Sequence, residues 1–188
     1  EEAQKRFLQQ RNEKNLSPNL RSVVYALAAW SGNKETYNHL LKLYRESNLQ
    51  EEKVRVLAAL SSFQQESLLK EVLAFYMSNE VRTQDTPIGI SRVATNPHGQ
   101  ELTWKFFQDN WQEFKKRYGE TGTTMSNLIK ATCSRFSSLE KYQEIKKFFE
   151  KNPIPTAKRA IEQSLEAIQI NTSFVKYNER ELADFFRK

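Results

Sequence analysis

Apolar residues recur along this 188-residue chain at the spacing of one helix face, and nowhere with the sustained alternation of a strand. Leu20, Val23, Val24 and Leu27 stand at i, i+3, i+4 and i+7. Tyr37, Leu40, Leu41 and Tyr44 repeat that template, as do Leu69, Val72, Leu73 and Tyr76. Trp104, Phe107, Trp111, Phe114 and Tyr118 form an aromatic stripe. Met125, Leu128, Ile129, Cys133 and Phe136 form another row, then Leu139, Tyr142, Ile145 and Phe148, then Ala157, Ile161, Leu165 and Ile168. Val175, Leu182 and Phe185 close the series. Each row predicts an amphipathic helix with its apolar face on a core.

The polar punctuation agrees. Ser17-Pro18 and Asn96-Pro97 place a capping side chain before a proline at the first helical position. Ser137 with Glu140 forms a capping box, and Gly32, Gly119 and Gly122 fall where helices end. Asn152-Pro153 and Ile154-Pro155 break the next connection. The expectation is an all-α chain of about ten or eleven short helices, neighbours antiparallel. "HLLKLYRESNLQEEKVRVLAAL" is echoed by "SLLKEVLAFYMSNEVRTQDTPI" about 28 residues later. A helix-pair repeat implies a right-handed α-solenoid, a HEAT/armadillo-like bowl, with an irregular bundle as the alternative.

Composition narrows the function classes. The chain is 38% hydrophobic with 5 Gly and 5 Pro, which suits a single packed domain over 1–188 and excludes a disordered or turn-rich chain. It lacks an apolar run long enough to span a membrane. Its first residues are charged, unlike a signal peptide, and suggest a fragment of a larger protein. Net charge is +6, but acidic residues interleave with the basic ones, as on solvated helix faces; nucleic acid is not expected as a partner. Cys133 is alone, so no internal disulfide forms, and a cytoplasmic compartment is favoured. The sequons at Asn15 and Asn171 pull towards the secretory pathway or a cell-surface ectodomain.

No motif marks an active site. His39 and His98 are far apart, neither with the companions a metal needs, and His39 is expected to be a half-exposed surface histidine. Cys133 falls on an apolar row and reads as a buried structural thiol. The pair Glu51 and Glu52 reads as part of a charged, solvated face. "EVRTQDT" gathers Arg82, Gln84 and Asp85. Val81-Arg82 matches Val54-Arg55 in the echo, so Asp85 is expected to cap a helix and Arg82 to clamp one helix pair onto the next.

Six stretches in order, "NLRSVVY", "NLQEEKVRVLAAL", "EVRTQDT", "GQELTWKFFQDNWQEFKKRYG", "SNLIKATCSRFSS" and "EIKKFFEKNPIPTAKRAIEQSLEAIQIN", resemble the C-terminal helical domain of the gluzincin zinc aminopeptidases. The resemblance covers nearly the whole chain. It implies a non-catalytic domain that covers the active-site chamber of an enzyme removing N-terminal residues from peptides. Its partners would be its own catalytic domain and peptide substrates. No cofactor belongs to this chain; zinc belongs to the catalytic domain, outside it. Basic side chains at helix ends and turns, Arg82, Arg92, Lys130 and Arg135, are then candidates for gripping the distal, carboxylate end of the peptide. The competing readings are a stand-alone helical-repeat scaffold for a protein partner and, further off, a basic nucleic-acid-binding repeat.

Overall fold

The computed structural model describes residues 2–13, 16–120 and 122–187. Among them the chain is all-α: eleven α-helices, one 3-10 turn and no strand. The helices are α1 (Glu2–Glu13), α2 (Pro18–Trp30), α3 (Lys34–Glu46), α4 (Gln50–Leu60), α5 (Glu66–Met77), α6 (Thr86–Thr95) and α7 (Gln100–Asp109). Then follow α8 (Trp111–Tyr118), α9 (Gly122–Cys133), α10 (Leu139–Lys151), the 3-10 turn Pro155–Ala157 and α11 (Lys158–Phe186). The chain divides into two compact units, residues 1–106 and 107–188.

In the first unit, the helices form two alternating rows. α4 packs on both α2 and α6, and α2 packs on α1 and α4. Ring contacts join the other row: Phe7 of α1 lies edge-on to His39 of α3 at 5.0 Å, and Tyr44 of α3 to Phe75 of α5 at 5.2 Å. The polar ties between successive pairs are long-range and regular. Lys34 pairs with Glu71, the Tyr44 hydroxyl donates to the Glu80 carbonyl at 2.9 Å, and Arg45 makes two bonds to the Glu80 carboxylate at 2.7 and 2.9 Å. Side-chain amides close the helix ends. Gln65 Nε2 donates to the Gly32 carbonyl, and Asn96 Nδ2 to the carbonyls of Ser61 and Phe63, each at 2.8 Å. These bonds satisfy carbonyls that a helix end leaves without a partner.

The repeat is longer than the sequence echo. α5 starts at Glu66 where α3 starts at Lys34, and α6 at Thr86 where α4 starts at Gln50. The Leu-Leu-Lys stretches align in sequence only because both rows are apolar at helical spacing. Within α6, buried Gly89 lies under the Tyr76 ring, and a Cβ there would sit 2.8 Å from Tyr76 Cε2. Tyr76 in turn donates to the Leu57 carbonyl and meets Ser61 Oγ at 2.7 Å.

The second unit is built on rings. Phe107 contacts Phe114 and Trp111 at centroid distances of 4.9 and 5.5 Å, and Trp111 meets Phe148 and Phe149 at 5.5 and 5.9 Å. α11 packs on α9 and α10. Asn171 in α11 donates Nδ2 to the carbonyls of Ser134 and Phe136 at 3.0 and 3.1 Å, the same closure that Asn96 performs in the first unit.

Several local expectations shift. Asn96-Pro97 does not open a helix: Asn96 is the C-terminal cap of α6, and α7 begins at Gln100. Ser138, not Ser137, caps α10, accepting from the Lys141 amide at 3.2 Å. Gly122 starts α9 rather than following a helix. The aromatic stripe is buried throughout, but Asn110 divides it between α7 and α8. On α2 only Val24 of the expected row is buried. The inward face is Val24, Tyr25, Ala28 and Ala29, while Leu20, Val23 and Leu27 point to solvent. Asn15 lies outside the described residues.

Candidate functional site

The turn before α6 is held by its backbone. Buried Val81 anchors it, and the Arg82 carbonyl accepts from the amides of Asp85 and Thr86 at 2.8 and 3.2 Å. Thr86, fully buried, donates Oγ1 to the Tyr76 carbonyl at 2.8 Å. Asp85 stands at the N-cap position of α6 but caps nothing there. Its carboxylate accepts instead from Gln50 Nε2, at the start of α4, at 2.8 Å. The clamp between helix pairs therefore exists, but Gln50 and Asp85 form it. Arg82 is exposed and makes no side-chain hydrogen bond or ion pair among the described residues.

The other three cations share that condition. Arg92 sits in the last turn of α6, Lys130 in the last turn of α9, and Arg135 in the turn after α9. All are exposed, and none has a side-chain hydrogen bond or ion pair among the described residues. Arg82 and Arg92 belong to the first unit and Lys130 and Arg135 to the second. The length of α6, roughly 15 Å for ten residues, separates Arg82 from Arg92. The structure does not gather the four into one cluster.

A constellation that sequence reading missed lies between α2 and α4. Glu52 is buried, 7% exposed, although its neighbour Glu51 is open to solvent. Glu52 accepts from the Tyr25 hydroxyl at 2.7 Å, from Arg55 at 2.9 Å, and pairs with Arg21 at 3.2 Å. Burial works against the charged carboxylate. Hydrogen bonds from Tyr25, Arg55 and Arg21 outweigh it and hold Glu52 below the usual carboxylate range. Tyr25 is pushed up by burial and by its bond to that carboxylate. Two guanidiniums around one carboxylate, each donor committed, make a structural brace with no vacant position for a substrate. Only the pairing of Tyr25 with a residue 27 positions later distinguishes Glu52 from Glu51, and no local pattern records it.

The nucleophile and metal candidates are inert. Cys133 is fully buried, and burial raises its thiol to about 12. His98 lies exposed in the turn after α6. His39 is half-buried, as expected, and borders a pocket of about 420 Å³ with Gln4, Phe7, Asn33 and Glu35. A second hollow of about 390 Å³ lies between α10 and α11, floored by Phe149, Ile154, Ile161 and Leu165. Among the described residues no three His, Cys, Asp or Glu side chains converge as a metal site would require. These residues do not fit a zinc ion, and no step is routed through one.

Two alternating rows of helices, a carboxylate brace and exposed cations at helix ends define a helical module without an active centre of its own. Residues 1–170 match the model of the ERAP1-like C-terminal domain, and the chain belongs to that family. It is 35% identical over 178 residues to aminopeptidase M1 of Arabidopsis thaliana, covering 93% of this chain and 20% of that protein. It is 34% identical over 175 residues to aminopeptidase N of Canis lupus familiaris, covering 91% and 18%, and 31% identical over 186 residues to aminopeptidase N of Homo sapiens, covering 97% and 19%. The chain thus spans about a fifth of the length of the curated relatives it matches. Among the described residues no helix is long and apolar enough to cross a membrane.

Proposed function

We propose that this chain is the non-catalytic C-terminal domain of a zinc aminopeptidase, covering the chamber where N-terminal residues are removed and holding the distal part of the peptide. Family membership over residues 1–170 and the aminopeptidase names of the relatives support the enzyme. Peptide holding rests on one observation: Arg82, Arg92, Lys130 and Arg135 are exposed at helix ends or turns with no protein partner among the described residues. A guanidinium without an internal carboxylate keeps its fork for an external one, and a peptide's C-terminus supplies that group. The catalytic domain, the zinc and the pocket for the first residue lie outside this chain. The lone buried Cys133 suits a reducing, cytoplasmic setting.

Neutral substitution tests the peptide role in the full-length enzyme. Arg82→Gln with Arg92→Gln, and separately Lys130→Gln with Arg135→Gln, are assayed on aminoacyl reporters and on peptides of increasing length. A residue that grips the carboxylate loses a charge-assisted bond worth about 1.5–3 kcal/mol, raising KM on the order of tenfold or more for long peptides. The short reporters keep their KM. Equal KM values across all lengths in both variants remove these residues from the binding surface.

A further inference from the structure

α2 carries two apolar faces. Val24, Tyr25, Ala28 and Ala29 point inward, where Tyr25 reaches Glu52 of α4 and lies edge-on to Phe7 of α1 at 5.9 Å. Leu20, Val23, Leu27 and Trp30 follow one another at i, i+3, i+7 and i+10, and are 41, 58, 51 and 48% exposed. At roughly 100° per residue this second row is centred about 150° from the first. The helix has a single charged residue, Arg21, and that charge is directed to Glu52. A solvated helix face is normally charged, and a helix apolar on both sides is normally covered on both.

The rows say what covers it. α4, in the same row as α2, is flanked on one side by α2 and on the other by α6. α1 belongs to the opposite row, with α3 and α5. By that alternation, a helix preceding α1 enters the row of α2, on the side away from α4, where Leu20, Val23, Leu27 and Trp30 stand. The relatives extend far beyond the fifth of their length that this chain matches, so polypeptide of the same protein is available. We propose that an amphipathic helix of the same polypeptide, preceding α1, docks on the Leu20–Val23–Leu27–Trp30 face and continues the row α2, α4, α6. The occupant has apolar residues at i, i+3 or i+4 and i+7, with no charge on its seam, since α2 offers none. The inference rests on membership of the aminopeptidase family but not on peptide binding.

Thiol labelling tests it without any substrate. Leu27→Cys and the polar-side control Ser22→Cys are placed in this 188-residue chain and in the full-length protein, and alkylation is mapped by peptide mass spectrometry. Buried Cys133, its thiol raised to about 12, stays unlabelled in the folded state. The expected result is prompt labelling of Leu27→Cys in the 188-residue chain, protection in the full-length protein, and labelling of Ser22→Cys in both. Equal reactivity of Leu27→Cys in the two chains overturns the proposal. Protection that appears in both, and strengthens with protein concentration, shows a second copy on this face and overturns it equally. If the 188-residue chain proves unfolded, Val23→Asp with Leu27→Asp in the full-length protein decides. A lower Tm than Ser22→Asp supports the covered face, and an equal Tm overturns it.

Discussion

Two Val-Arg steps, Val54-Arg55 and Val81-Arg82, look interchangeable along the chain and are opposites in space. Val54 is 40% exposed while Arg55, inside α4, donates to Glu51 and to buried Glu52. Val81 is buried while Arg82 stands in the open with nothing to hold. The difference comes from the backbone. Arg55 is in the second turn of α4, so its i−3 and i−4 neighbours lie on its own face. Arg82 precedes α6, where no helical neighbour exists, and the nearby acids are taken: Asp85 by Gln50 and Glu80 by Arg45. An arginine whose local carboxylates are already engaged is available for something outside the fold.

The comparison can be broken at graded cost. Trp104, 1% exposed, sets the upper scale: Trp104→Ala should cost about 3–5 kcal/mol in denaturant unfolding, and an unchanged midpoint would contradict its burial. Glu52→Gln leaves two guanidiniums facing a neutral group. About 3 kcal/mol is expected, the low end for breaking a buried pair because Arg21 and Arg55 remain about a fifth exposed. The same carboxylate gives a pH signature. Its folded pKa lies below the ordinary 4.5, so its contribution is complete above pH 4.5 and fades as pH falls through the folded value. Wild type and Glu52→Gln should therefore converge in stability on acidification below pH 4.5, and a constant gap would remove Glu52 as the cause. At the small end, Arg82→Gln should change stability by less than about 0.5 kcal/mol. A loss comparable to that of Glu52→Gln would make Arg82 a brace after all.

The helices were legible because periodicity of 3.6 is a local property: Tyr37 to Tyr44, Leu69 to Tyr76 and Met125 to Cys133 are buried as expected. Which of two apolar faces turns inward is not local. Leu20, Val23 and Leu27 satisfy the same template as Tyr37, Leu40 and Tyr44, yet Tyr25 and Ala28 take the core because α4 approaches from their side. Glu52 was hidden for a related reason. A charge is desolvated by partners from another helix, and "LQEEKVR" contains only one of its three. Of the candidate site, positions at helix ends and turns could be read; whether a neighbouring acid would neutralise each cation could not. The shift from Asn96 as a helix start to Asn96 as a closure belongs here too, since the carbonyls it serves, Ser61 and Phe63, are more than thirty residues upstream.

The closure made by Asn171 reaches beyond packing. Asn171-Thr172-Ser173 is an acceptor triplet for N-linked glycans, and the nitrogen that would carry the sugar is the one donated to Ser134 and Phe136. One atom cannot serve as both glycosyl acceptor and double donor with its geometry unchanged. A chain glycosylated at this triplet during synthesis would have to seat α11 against the end of α9 with a sugar where the closure belongs. In a compartment without that modifying machinery the conflict never arises, so the sequon is better understood as a helix clasp spelled in the same three letters.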